Sequence, residues 1–197
     1  MALPRTAAAR PRLEGPRARE VLDVTREVLA EVGYDRLTID LVAARARAGK
    51  ATLYRRWPSK AELVADALAS LDGGLAPPDT GSLSGDVAAL LSDKQVFDAV
   101  QMKIACGVST AMATDPHLRD AVEERVVAPR RAMLRDVLAA ARARGEVDDD
   151  VDLDLVATIV PAMMMFWTMT DGYESACALM PRIVEQVFLP ALRPRTP

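Results

Sequence analysis

Residues 33–58 leave room for only two short helices and a tight turn, and this stretch constrains the chain more than any other. Gly33 is suited to close a preceding helix and Pro58 ends a following one. Between them, Arg47-Ala48-Gly49 reads as a turn. Thr38 offers a hydroxyl to the free amides of the first short helix, with Ile39, Val42 and Ala46 on its inner face. The second short helix, 50–57, buries Leu53 and Trp57, which lie four residues apart on one side. Upstream, Val21, Thr25, Val28 and Val32, with Leu22 and Leu29 beside them, give an amphipathic helix from Pro16. Downstream, Ser59 and Glu62 have capping-box spacing, and Leu63, Ala67 and Leu71 carry a fourth helix to Gly73 and Gly74.

Two short helices joined by a tight turn behind a supporting helix form a helix-turn-helix, whose second helix enters the DNA major groove. With Leu53 and Trp57 inward, Lys50, Ala51, Thr52, Tyr54, Arg55 and Arg56 are left on the outer faces. Arginine forks onto guanine edges, the small Ala51 allows close approach, and tyrosine meets a thymine methyl or a phosphate. Lys60, at the start of the fourth helix, suits a phosphate oxygen. The plainer alternative for this segment is a solvated charged face. Charge favours the DNA reading: residues 1–60 hold 13 Lys and Arg against 7 Asp and Glu, while the rest holds 12 against 21. A basic end of +6 on an acidic body of −9 is what a chain needs to meet a polyanion with one end only.

At this level residues 17–71 resemble the DNA-binding domain of the tetracycline-repressor (TetR/AcrR) family. The resemblance rests on Gly33-Tyr34 before Thr38-Ile39, Lys50-x-Thr52-Leu53-Tyr54, the aromatic-Pro-Ser-Lys turn at Trp57–Lys60 and the following Leu63. It implies phosphate contacts for Thr38, Thr52, Tyr54, Arg56 and Lys60, and base-edge contacts for Lys50, Ala51 and Arg55. One departure stands out. The family usually reads Gly-Val-Ser-Lys through the turn, whereas Arg47, Ala48, Gly49 and Lys50 occupy those places here. Arg47 then sits where a positive φ is often needed, as either an added phosphate contact or a strained, reshaped turn. The arm bearing Arg5, Arg10, Arg12, Arg17 and Arg19 is either a disordered tail or a further source of phosphate and minor-groove contacts.

The remainder reads as helical throughout, at 84–91, 94–114, 117–144, 153–170 and 174–189, so the expected fold is all-α with about nine helices. The expected division is a basic arm at 1–16, a helix-turn-helix domain at 17–72, a linker at 73–84 and a ligand-binding and dimerisation domain at 85–197. Residues 126–147 resemble one C-terminal subtype of the same family, which pairs with its twin through the last two long helices and binds a small ligand. The resemblance implies a homodimer, with Val160, Met163, Trp167, Ile183 and Val187 as interface candidates. Methionine-rich helices near aromatic residues adapt to apolar ligands. Phe97, Gln101, Met102, Met112, Met133, Met164, Phe166, Trp167 and Thr168 are therefore the pocket candidates, against the alternative that methionine at helical spacing is core.

Other classes find little support. His117 is the only histidine, so a shared-imidazole metal site or a histidine triad with a second site is unavailable, and no metal or cofactor is expected. The acidic run 146–154 lacks the loop glycine and terminal glutamate of an EF-hand and reads as a loop in which Asp152 caps the next helix. Cys106 and Cys177 are far apart and read as reduced thiols. The apolar run 155–167 contains Pro161 and is shorter than a membrane span, and the N-terminus lacks a signal-peptide core, so a cytoplasmic chain without a membrane anchor is expected. The expected partners are a pseudo-palindromic double-stranded DNA operator and a small apolar effector. A regulator without a ligand, or a helical enzyme using the same cavity, are the competing readings.

Overall fold

The structure, a computed structural model, describes residues 15–72, 77–92 and 98–193. Among these residues there are helices and no strands. We number the helices α1 Pro16–Arg36, α2 Ile39–Arg45, α3 Lys50–Arg56, α4 Lys60–Ala69, α5 Leu83–Ser92 and α6 Ala99–Met112. Three longer rods follow: α7 (116–143), α8 Leu153–Asp171 and α9 (173–192).

The caps lie where the side chains dictate. Pro16 occupies the first turn of α1, and Gly33 breaks its last turn at φ 77. Thr38 Oγ1 accepts from Leu41 N–H at 3.1 Å, Ser59 Oγ from Glu62 N–H at 3.2 Å, and Asp98 Oδ1 from Val100 and Gln101 N–H at 2.6 and 3.0 Å. Asp152 caps α8 in the same way.

Each long rod is interrupted about one turn before a proline. A proline lacks the N–H and its ring crowds the carbonyl four residues back. In α7 the segments Pro116–Val122 and Ala128–Ala143 are joined by the π turn Glu123–Val127, ahead of Pro129. In α9 the π turn Val184–Phe188 precedes Pro190. In α8 the break falls at Ala157-Thr158, ahead of Pro161. Widening or breaking the ladder relieves the clash while the rod continues.

One hydrophobic cluster crosses the expected domain division, while the other two lie within residues 83–192. The crossing cluster joins Val21, Val28, Leu53, Trp57 and Leu63 to Ile104, Val108, Leu118, Val122 and Val126, so α1 and α4 are packed directly on α6 and α7. Residues 73–76 of the expected linker lie outside the described residues, as do Phe97 and the arm residues Arg5, Arg10 and Arg12. α5 is pinned by Asp86, which is fully buried. Its carboxylate accepts from Thr80 N–H and hydroxyl at 2.7 and 2.8 Å and from Arg144 at 2.9 Å. Burial alone would raise its pKa, but these donors outweigh it and hold the group below the usual carboxylate range.

The apolar run near residue 160 is longer than the sequence expectation. α8 spans 19 residues at mean hydropathy 1.5, long and apolar enough by length and composition to cross a membrane. Only 17% of that window is buried, because one side of the helix packs against α9 while the other faces outward.

Candidate nucleic-acid interface and interior cavity

α3 presents a short basic face above a buried apolar one. Leu53 is fully buried and Trp57 is 1% exposed, while Lys50, Ala51, Tyr54, Arg55 and Arg56 are exposed and Thr52 is half-buried. Trp57 donates through Nε1 to Asp66 Oδ2 at 2.7 Å, fixing the end of α3 to α4. The Arg56 guanidinium lies 5.4 Å from the centre of the Trp57 ring. Thr38 is exposed at the start of α2, beside this face. Lys60 Nζ donates to the Tyr34 carbonyl at 3.0 Å and sits 4.0 Å from the ring centre of the same residue. It is thus a positioned positive charge at the first turn of α4.

Lys50 pairs with Asp40 of α2 at 2.7 Å, and this contact holds its pKa above the ordinary lysine value. An acidic partner on the basic face was not foreseen from sequence, because only the turn brings residues 40 and 50 together.

The turn itself has a defined geometry. Arg47 takes φ 49, the left-handed region that favours glycine, and Gly49 stays at φ −69. Ala48 N–H donates to Ala43 O at 2.9 Å and Arg47 N–H to Ala44 O at 3.2 Å, the two bonds of a Schellman motif closing α2. Arg17 completes it, donating through Nη2 to the carbonyls of Ala46 at 2.6 Å and Arg47 at 3.1 Å. Of the arm arginines, read from sequence as either a tail or a source of DNA contacts, Arg17 holds the helix-turn-helix turn from the first turn of α1. A guanidinium on carbonyls at a helix C-terminus also meets the negative end of the helix dipole, which offsets the backbone strain at Arg47.

Replacing Arg47 with glycine separates the two readings of this residue. Removing the left-handed strain is expected to stabilise the protein by about 0.5–1 kcal/mol, read as a rise in melting temperature. If Arg47 also meets a phosphate, the same variant binds DNA more weakly with a salt slope smaller by about one. An unchanged slope assigns Arg47 to the turn alone.

Behind this face, the two parts of the chain are tied by polar contacts. Arg125, in the π turn of α7, donates to Asp66 Oδ1 at 2.9 Å and to the Glu62 carbonyl at 3.2 Å. Asp66 therefore bridges Trp57 and Arg125. Tyr34 donates to Asp115 Oδ2 at 2.8 Å; this bond is the largest influence holding the Asp115 carboxyl below its ordinary range.

That π turn also borders a cavity of about 420 Å³. Its wall comes from α4 to α9 and includes Leu68, Val122, Val126, Val127, Leu134 and Phe188. The volume lies within the range of about 300–1,000 Å³ that small-molecule sites occupy. Of the pocket candidates, Gln101, Met102, Met112 and Met133 line it together, and Met165 joins them. The Gln101 Oε1 is buried without a hydrogen-bond partner.

The remaining pocket candidates on α8 lie elsewhere. Met164 is buried against Met102, Ala176 and Met180, and Trp167 packs on the edge of that cluster. Thr168 is half-buried and does not line the cavity, and Phe166 is 56% exposed on the outer side of α8. The periodicity of α8 was legible but its rotation was not, since apolar residues surround the helix.

The same rotation reorders the interface candidates. Ile183 is buried, Val160, Met163 and Trp167 are half-buried on the inner side, and Val187 is 61% exposed. The outward apolar stripe of α8 is instead Leu155, Ile159, Ala162, Phe166 and Met169, spaced four and three residues apart in alternation. Such spacing makes one continuous seam. His117 is exposed, and among the described residues no cluster of His, Cys, Asp and Glu could hold a metal ion.

Comparison with known proteins covers both parts of the chain. The model of "Bacterial regulatory proteins, tetR family" matches residues 21–67, and that of "Tetracyclin repressor-like, C-terminal domain" matches residues 77–187. The chain is 37% identical over 183 residues to an HTH-type transcriptional regulator of Mycobacterium tuberculosis, covering 90% of this chain and 88% of the relative. It is 34% identical over 181 residues to the DNA-binding transcriptional repressor TetR of Mycobacteroides abscessus, covering 90% and 95%. Among solved structures, Bacillus subtilis FadR in complex with stearoyl-CoA shares the fold at TM-score 0.67 and 16% identity, covering 84% of this chain and 95% of that one.

Proposed function

Because this chain belongs to the TetR family of helix-turn-helix transcriptional regulators, we propose that it is a homodimeric, ligand-responsive repressor. Two α3 helices read a pseudo-palindromic operator in the cytoplasm, and a small, mainly apolar effector in the 420 Å³ cavity releases it. The single observation that carries this reading is the π turn of α7. Val126 and Val127 of it, with Val122 just before, line the cavity, and Arg125 holds Asp66, which holds Trp57 at the end of α3. A ligand acts on DNA affinity only through a different interaction with two states of the protein. A turn that is both cavity wall and tether supplies such an element. The neighbouring FadR structure holds stearoyl-CoA and the M. abscessus relative is a repressor, which supports ligand binding and repression here.

On the DNA side, Arg55 is the base reader and Lys60 the phosphate holder. Arg55→Ala is expected to relax preference at one base pair per half-site, at a cost of about 1–3 kcal/mol on the best operator. Lys60→Ala is expected to weaken all sequences alike and to lower the salt slope by about one. Fluorescence anisotropy on a randomised operator series measures both, and uniform loss in both variants would refute the division of roles. The ligand part is tested by thermal shift against a panel of apolar compounds, read beside operator release. If no compound shifts melting or release, the chain is a DNA-binding regulator without a small-molecule effector.

A further inference from the structure

We propose that the effector is an amphiphilic anion: an apolar chain or ring body carrying one carboxylate, held at the cavity by Arg130 and Arg131. This deepens the ligand-responsive reading above and rests on it. Five polar residues line the cavity, Gln101, Ser109, Arg130, Arg131 and Thr158, and no aspartate or glutamate lines it among the described residues. A charge taken out of water needs an opposite charge or an array of hydrogen bonds. A cationic ligand finds no carboxylate among these lining residues, whereas an anionic one finds two arginines.

The arginines occupy adjacent positions on α7, one turn beyond Val126 and Val127. Arg131 is paired with Glu123 at 3.2 Å, with both side chains exposed by roughly two-fifths, 39% and 46%. The Arg131 side chain is therefore a lining residue that is partly open to solvent. An ion pair so exposed is weak, so a carboxylate that takes two parallel N–H bonds competes with it. The rest of the wall is aliphatic and methionine-rich, with Met102, Met133 and Met165 able to follow the shape of a hydrocarbon body. Head at the arginines and tail inside is the orientation in which desolvation of both halves is favourable. Arg131 also sits two turns along α7 from Glu123, the first residue of the π turn, so a carboxylate that draws Arg131 away from Glu123 acts directly on the element bearing Arg125.

The test uses three probes with one tail, decanoate, 1-decanol and decyltrimethylammonium, titrated calorimetrically below their micelle concentrations into the full chain. Decanoate is expected to bind at least about tenfold more tightly than decanol, with the cation weakest, and added salt is expected to narrow the gap. In the Arg130→Leu/Arg131→Leu variant, decanoate falls to the affinity of decanol while decanol itself binds as before, which shows that the cavity has kept its shape. Should that variant fail to fold, the salt dependence of wild-type decanoate binding carries the same decision. Equal binding of acid and alcohol, preference for the cation, or no binding of any probe overturns the proposal. Operator release is measured separately by anisotropy. Decanoate binding without release would sink the ligand-responsive reading and keep the ligand class, while release by a cationic compound alone would do the reverse.

Discussion

Replacing Trp57 with alanine is expected to lower stability by about 3–5 kcal/mol, the usual range for truncating a buried aromatic. In a chain of this length that is a fall in melting temperature of roughly 6–20 °C. The ring is 1% exposed and sits in the cluster that joins α1, α4, α6 and α7. Its loss removes the floor of the recognition helix, because α3 has only Leu53 and Trp57 with which to hold the body. It also deprives Asp66 of the Nε1 donor, leaving the carboxylate with Arg125 at 2.9 Å and Arg56 at 4.0 Å. Operator binding should therefore disappear together with the stability. Trp57→Phe separates the two contributions: most of the packing stays, the Asp66 bond goes, and a penalty of about 1–2 kcal/mol is expected. Thermal unfolding by circular dichroism, with anisotropy on the operator, measures both variants. A shift of only a degree or two in Trp57→Ala would mean that α3 is held by something other than this ring.

The second large effect concerns assembly. Phe166→Asp together with Ile159→Asp is expected to convert a dimer into a monomer and to raise its dissociation constant by at least about 100-fold. Leu155, Phe166 and Met169 are 64%, 56% and 59% exposed, a large apolar surface for a single chain to leave in water. In the homodimer proposed above, a second copy presenting the same seam would cover it by two-fold symmetry, as an isologous helix interface. An aspartate placed there would be buried without a partner in the dimer, yet would be solvated in the monomer. The monomer should accordingly keep its helical spectrum, while operator affinity falls because two half-sites are no longer bound by one particle. Sedimentation velocity across a concentration series reads the result. A variant that still sediments as a dimer would place the interface elsewhere, for example on the α9 face that includes Val187.

The helix-turn-helix was legible because its determinants are local. Thr38 and Ser59 act on amides three residues away, and Gly33 and Pro58 act on their own backbone, so sequence neighbours suffice. The inward faces of α1, α2 and α3 were also legible, since each helix mixes polar and apolar residues and so has a readable side. α8 was not, because Val160, Met163, Met164, Met165, Phe166 and Trp167 are apolar in every direction and only its neighbours fix which way each points. Phe166 consequently lies on the outer surface of α8, and Ile183 is buried within the chain.

By itself, then, the sequence determined the all-helical class of the chain, the caps at Thr38, Ser59 and Asp152 and the inward faces of α1 to α3, all through interactions within a few residues. Tertiary structure alone decided the partners that are far apart in the chain: Arg17 on the carbonyls of the turn, Lys50 on Asp40, Tyr34 on Asp115, and Arg125 on the carboxylate that holds Trp57. It also decided that the π turn of α7 lines the cavity through Val126 and Val127 and is tied through Arg125 and Asp66 to Trp57. The reason is geometric. Helical periodicity records which side of a helix is buried, but a hydrogen bond across 59 residues, as between Arg125 and Asp66, is set by how whole helices pack, and no local pattern encodes it.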